Sequence, residues 1–240
     1  MSETAPAATI ELLQSHSLAT VVRRELERRI LAGELVPGAK LNEEEVAATF
    51  NVSRGPVREA FRALESTGLL RVEKNRGVYV RQVSVAEADE IYEVRAGIDE
   101  LIGRLLAERI TPQQVAELRS LLRKMQQQAR ARNVAAYYPL NVQFHGRLAE
   151  YTGNRTLLAT YQRLVNALHL YRRETLARGA DSFPISTREH EAIVDALAAG
   201  DADRAGQLLY EHAMESRDRL HATLERPARQ RNRKTAKEIA

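Results

Sequence analysis

Apolar side chains recur at a helical period through most of the chain, and the interruptions divide it into two regions of different character. Leu18, Val21, Val22, Leu26 and Ile30 form the first stripe, which stops at Gly33 ahead of a turn at Pro37-Gly38. Asn42 then stands as the cap of a short helix, with Glu45 in the capping-box position and Val46, Ala47 and Phe50 on its apolar side. After the break at Asn51-Val52-Ser53, a second helix is expected from Arg54 to about Thr67, capped by Ser53, tolerant of Pro56 in its first turn and ended by Gly68. Val57, Phe61 and Leu64 share one face of it, whereas Gly55, Arg58 and Arg62 point away. Leu70–Glu73 and Val78–Val80 then read as a β-hairpin around the basic tip Lys74-Asn-Arg-Gly77.

Two short helices joined by a tight turn and followed by a hairpin predict a winged helix-turn-helix over residues 18–81. Past a linker at 82–85, the helical period runs through Ala86–Ile110, Pro112–Arg130, Pro139–Tyr151, Thr156–Arg178, Thr187–Ala199 and Ala202–Leu224. Breaks fall at Asn133, at Thr152-Gly-Asn154 and from Gly179 to Pro184. The expected fold is therefore mainly α: an N-terminal winged helix-turn-helix domain followed by a C-terminal all-α antiparallel helical bundle over 86–224. Residues 1–17 and the basic stretch 225–240 are expected to be flexible tails.

Composition narrows the function classes. The absence of cysteine excludes disulfides and thiolate metal sites, and no apolar run approaches membrane-spanning length. Met1 to Ser17 lacks the basic, apolar and cleavage regions of a secretory signal, so a cytoplasmic location is expected. The net charge of +4 is unevenly spread: residues 18–81 carry +3, residues 223–240 carry +4, and the remainder is acidic. A basic N-terminal region is the electrostatic footprint of a nucleic-acid binder. Arg54 and Arg58 stand one turn apart at the start of the second helix, where a recognition helix meets base edges, and the arginine fork matches guanine O6 and N7. Gly55 would let the backbone approach a phosphate closely.

The bundle offers a different chemistry. Gly200-Asp201 is a helix stop followed by a helix start, so the flanking segments should form an antiparallel hairpin. His190 lies ten residues before Gly200 and His212 eleven after Asp201, which puts both imidazoles roughly 15 Å from the same turn. Asn141 and His145 share one face of a third helix at i and i+4. These four side chains are candidate metal ligands. Imidazole suits zinc, nickel, iron or copper, so the ligand set alone does not choose the metal. All four groups are neutral, so an ion held there keeps its double charge and favours an anion in any open position.

Val52-Ser-Arg-Gly-Pro-Val-Arg-Glu-Ala60, followed by Leu64-Glu-Ser-Thr-Gly-Leu69 and Asn75-Arg-Gly77, resembles the winged helix-turn-helix of the GntR family of bacterial transcriptional regulators. The resemblance implies guanine contacts from Arg54 and Arg58 and a wing that lies against DNA at Gly77; Gly55, Arg62, Asn75 and Arg76 stand beside them as further candidate DNA-binding residues. Where many relatives have a basic residue in the preceding helix, this chain has Glu43-Glu-Glu45. The second region resembles the FCD effector-binding domain of the FadR subfamily, on Tyr92-Glu-Val-Arg95, Phe144-His145, Thr152-Gly-Asn154, Glu189-His190 and His212. It implies a divalent ion, zinc foremost with nickel, manganese or iron as alternatives, on His145, His190, His212 and Asn141, the last at a position where many such domains carry a carboxylate. It further implies a small organic-acid effector held by Arg95, with a salt bridge to a neighbouring acid as the competing role of that arginine. Tyr137, Tyr138, Arg163, His169 and Arg172 are further candidates for the pocket lining.

The expectation is a homodimeric, metabolite-responsive regulator, a repressor rather than an enzyme, on palindromic double-stranded operator DNA. Two alternatives stand beside it. A three-histidine site can activate water in a metallohydrolase, although no carboxylate base is placed by motif or spacing. A constitutive DNA binder would leave the histidines inert.

Overall fold

The computed structural model describes the backbone of residues 17–178 and 183–238 and the side chains of residues 17–168 and 183–223. The expected N-terminal tail, Ser17 apart, and most of the break after Arg178 lie outside the described residues. The chain divides into two compact units, one reaching to Val83 and taking in Val165–Leu170, the other formed by Ser84–Leu164 and the residues from Tyr171 onward.

The first unit contains α1 (Leu18–Ala32), β1 (Lys40–Leu41), α2 (Glu43–Phe50), α3 (Arg54–Ser66), β2 (Leu70–Glu73) and β3 (Gly77–Val80). The Ser17 hydroxyl caps α1 by accepting the Thr20 N–H, and Gly33 closes it in the left-handed region at φ 73°. Three of the five residues of the predicted stripe are core: Val22, Leu26 and Ile30 are buried, while Leu18 and Val21, in the first turn, remain 57% and 52% exposed. The Asn42 side-chain oxygen Oδ1 accepts the Glu44 N–H, one residue short of the expected capping-box partner, and α2 closes at Asn51 with φ 51°. Val57, Ala60, Phe61 and Leu64 of α3 pack with the α1 residues and with Leu69, Leu70, Val78 and Val80 in one apolar core. The polar face of α3 is thereby turned outward.

The sheet is antiparallel in the order β1-β3-β2, with Leu70 opposite Val80, Glu73 opposite Gly77, and Lys40 opposite Tyr79. β1 adds a third strand to the expected hairpin; at two residues it is too short to show an alternation in sequence.

The second unit contains α4 (Val85–Ala107), α5 (Pro112–Arg130), α6 (Val134–Tyr151), α7 (Arg155–Arg178, apart from its segment Val165–Leu170), α8 (Phe183–Ala198) and α9 (Ala202–Glu238). Three boundaries differ from expectation. Asn133 caps α6 through the Ala136 N–H, so the helix starts before Pro139 and contains it. That early in a helix, proline removes a single backbone bond, to the Ala135 carbonyl. Similarly, α8 starts at Phe183 and takes Pro184 into its first turn, where proline is tolerated. α9 continues to Glu238, so its helical backbone replaces most of the flexible tail expected from residue 225. The Arg, Gln, Lys and Ala that dominate that stretch are strong helix formers and outweigh Pro227.

α4 and α9 pack along each other where Gly103 faces Ala205-Gly206. A Cβ on Gly103 would lie 2.6 Å from the Ala205 carbonyl carbon and oxygen, and one on Gly206 would lie 2.9 Å from Arg104 Cγ. Two backbones touch here, which fixes the height of α9 and hence of His212, six residues on. Among the described residues, no helix is long and apolar enough to cross a membrane.

Gly103→Ala should therefore destabilise the protein by about 1–3 kcal/mol through overpacking against backbone. Gly97→Ala on the same helix, where a Cβ meets nothing within 4 Å, should be neutral or stabilise by up to about 1 kcal/mol. Thermal unfolding of the two variants checks the contrast; equal shifts would show that the helices do not touch at Gly103.

Candidate metal centre and nucleic-acid interface

The hairpin of α8 and α9 forms as the punctuation predicts: Gly200 adopts φ 71°, and the Asp201 carboxylate accepts the Arg204 N–H at 3.0 Å. Equal path lengths from that turn bring His190 and His212 level, with their Nε2 atoms 3.1 Å apart. His145 of α6 completes a triangle, with Nε2 at 3.1 Å from that of His190 and 3.2 Å from that of His212. All three residues are at most 3% exposed. They form the one group of three or more His, Cys, Asp or Glu among the described residues whose spacing suits a metal ion.

The donor chemistry fits a cation. The Glu189 carboxylate, which can only accept, sits 2.6 Å from His212 Nδ1, so that nitrogen carries the proton and Nε2 presents a lone pair. Each neutral imidazole has one N–H, so hydrogen bonds among the rings cannot give all three edges of the triangle a proton of their own. One ion about 2.1 Å from each nitrogen would see them at roughly 95–100° to one another, between octahedral and tetrahedral values.

Glu189 is in turn gripped by the Arg219 guanidinium, at 2.7 Å to Oε1 and 2.9 Å to Oε2. A carboxylate behind a ligating histidine fixes its tautomer and raises its basicity. Sharing a hydrogen bond with Glu189 pushes the neighbouring Glu215 carboxyl above the usual carboxylate range, with partial burial adding to the rise. Phe144 closes one side of the cluster, its ring centroid 4.7 Å from that of His190 and 5.4 Å from that of His145. Asn141 is buried one turn before His145. One turn earlier again, Tyr137 stacks on Phe183 at 4.2 Å, and its hydroxyl lies 3.4 Å from that of Thr187. Asn141 thus occupies the step of the α6 stripe between Tyr137 and the histidine triangle.

Arg95 on α4 is wholly buried. Its Nε lies 3.0 Å from Asp99 Oδ2, and the guanidinium carbon is 5.9 Å from the ring centroids of both Tyr92 and Tyr161. Burial acts to discharge it, but Asp99 and then the two phenols outweigh that, and its pKa stays above the ordinary arginine value. Neither terminal nitrogen has a hydrogen bond of good geometry. The salt bridge foreseen as the competing role is present, and the Tyr161 phenol interacts with the same guanidinium. The side chains of His169 and Arg172 lie outside the described residues.

In the first unit, Arg54 and Arg58 project from the N-terminal end of α3 with side chains 51% and 53% exposed, and Gly55 and Arg62 are exposed beside them. Both arginines meet acids of α2: Arg58 Nε donates to Glu43 Oε2 at 2.7 Å, and Arg54 Nη1 donates to Glu44 Oε1 at 3.0 Å. The hydrogen bond from Arg58 holds the Glu43 carboxyl below the usual carboxylate range. At the hairpin tip Asn75 and Arg76 are exposed, and Asn75 takes φ 62°. Gly77 sits at φ 118°, a backbone conformation that L side chains rarely adopt.

Comparison with known proteins covers both units. Residues 18–80 match the bacterial regulatory proteins of the gntR family, and residues 90–215 match the FCD domain. The chain belongs to the GntR family. It is 31% identical over 207 residues to the "Probable D-xylose utilization operon transcriptional repressor" of Paenarthrobacter nicotinovorans, covering 85% of this chain and 89% of that one. The HTH-type transcriptional repressor RspR of Escherichia coli is 28% identical over 194 residues, or 81% of this chain and 85% of the repressor. Among solved structures, E. coli McbR/YncC superposes with a TM-score of 0.75 at 25% identity, over 87% of this chain and 99% of that one.

GntR-family proteins of this kind are transcriptional regulators, not enzymes, which sets aside the metallohydrolase alternative. Within this GntR-family chain the Glu189–Arg219 support escaped sequence reasoning. Glu189 adjoins His190 but serves His212 on the facing helix, a contact that depends on how α8 and α9 are rotated against each other. A carboxylate four residues after Arg95 was visible in sequence and signalled its ion pair.

Glu189→Gln should lower zinc affinity by about 10–100-fold while leaving the fold intact. Competition against a chromophoric chelator measures this; unchanged affinity would show that Glu189 does not act on the triangle.

Proposed function

We propose that this protein is a cytoplasmic, homodimeric repressor of the FadR subfamily that binds a palindromic operator and responds to a small organic acid. The reading is carried by one combination: a buried convergence of three imidazoles from three helices, in a chain whose winged helix-turn-helix exposes arginines at the head of α3. Two copies related by a two-fold axis would set two such helices on successive major-groove segments. Arg54 and Arg58 are assigned to guanine O6 and N7. Arg62, Asn75, Arg76 and the backbone at Gly55 and Gly77 are assigned to positioning on phosphate and the adjacent groove.

In the bundle, His145, His190, His212 and the Asn141 carbonyl are assigned to a divalent ion, with zinc foremost. The neutral ligand set leaves such an ion with charge to attract an anion, which is the chemistry it supplies. Arg95 is assigned to the effector carboxylate, for which the outer edge of its fork is suited. Asp99 holds that fork by Nε and keeps it charged in the absence of effector. Tyr92 and Tyr161 wall the guanidinium from water and thereby strengthen its attraction for an anion. An effector changes DNA affinity only by as much as its binding differs between two arrangements of the protein.

Duplexes enriched from a random library by the wild-type protein provide the operator probe. In gel-shift titration, Arg58→Ala should lose about 10-fold or more in affinity for an enriched duplex, with metal content unchanged. Undiminished affinity would refute the assignment of α3. Replacing His190 and His212 together with Ala should abolish bound zinc in metal analysis of purified protein, and retained zinc would place the ion elsewhere.

A further inference from the structure

We propose that Glu43 is a positioning residue for DNA recognition: it holds Arg58 so that only the outer edge of its fork faces a base, and it penalises contact with the phosphate backbone. This rests on the reading of α3 as the recognition helix. An arginine can meet guanine end-on through Nη1 and Nη2, or side-on through Nε and one terminal nitrogen. With Nε given to Glu43 at 2.7 Å, only the end-on edge of Arg58 remains.

The clasp is well anchored. Glu43 begins α2, where the helix dipole favours a carboxylate, and its side chain is only 29% exposed. The second arginine differs. Arg54 Nη1 goes to Glu44 at 3.0 Å and its Nη2 lies 3.4 Å from Glu43, so its outer edge is occupied and must be released on binding. Glu44 is 72% exposed and gives way easily.

Selectivity follows from the charges. Two carboxylates cancel two guanidinium groups on the face offered to DNA, which reduces attraction to any phosphate. A phosphate oxygen must compete with Glu43 for Arg58. A guanine edge presents neutral acceptors to the nitrogens that Glu43 leaves open. The acidic run on α2 thus acts as a filter that favours base contact over backbone contact.

The test compares an enriched duplex with a shuffled duplex of the same composition, titrated at several salt concentrations. Glu43→Gln should raise affinity for the shuffled duplex by about 3–10-fold and steepen its salt dependence by about one phosphate contact per recognition helix. Affinity for the enriched duplex should stay level or fall, so the ratio between the two collapses toward one. Glu45→Gln removes the same charge from the same helix without touching either arginine and should leave the ratio high. Glu43→Asp, which keeps the charge but withdraws the carboxylate, should lower the ratio and serves if Glu43→Gln does not fold. With Arg58→Ala already present, Glu43→Gln should have no further effect on the ratio.

An unchanged ratio in Glu43→Gln, or an equal loss in Glu45→Gln, overturns the proposal. Failure of the underlying reading looks different: the wild-type protein would then bind both duplexes alike, or Arg58→Ala would leave the ratio unaltered, and the role of Glu43 would fall with it.

Discussion

Three imidazole nitrogens within 3.2 Å of one another inside a packed bundle hold too few protons to bond along every edge of their triangle, and an ion between them would satisfy all three. Buried polar groups require partners, and lone pairs directed at one point repel. A cation would turn that repulsion into three bonds and tie α6, α8 and α9 together through their side chains. The Glu189 carboxylate and the Arg219 fork extend the construction outward, alternating charge from the triangle toward the surface.

The backbone enforces this convergence before any ligand is considered. Gly200 and Asp201 set a turn from which α8 and α9 climb with equal rise, and the contact of Gly103 with Ala205-Gly206 fixes α9 against α4. The same α4 carries Arg95, buried with Asp99 and two tyrosines. The histidine triangle and the buried Arg95 therefore stand on helices whose mutual positions leave little freedom. A rigid frame of this kind is what a sensor needs if sub-ångström changes are to select between discrete packings. The recognition face follows the opposite logic. Its arginines are exposed and held by the acids of α2, so in the proposed reading their charge would be committed only where base acceptors match.

Much of this was legible in the chain because regular elements obey fixed distances. Counting residues from a glycine stop placed His190 and His212 at one height, and the i, i+4 spacing of Asn141 and His145 placed both on the buried face of α6. The apolar face of α3 was readable from Val57, Phe61 and Leu64, and with it the outward direction of Arg54 and Arg58. Contacts set by helix rotation were not legible. Glu189 reaches a histidine on the other arm of the hairpin, and Glu43 meets Arg58 fifteen residues away in sequence. Helix ends also misled. Prolines at 139 and 184 read as boundaries, but each lies within the first two turns of a helix. Leu18 and Val21 matched the helical period yet face solvent, because periodicity marks a stripe without saying how far along the helix a partner extends.

The central claim is that the histidine triangle holds a metal ion. X-ray absorption at the zinc edge of zinc-loaded protein addresses it directly, because imidazole rings bound through nitrogen leave outer-shell scattering that water and carboxylate do not. The account predicts three imidazoles in the first coordination sphere, at about 2.0–2.1 Å. A spectrum of oxygen ligands without imidazole scattering would contradict it.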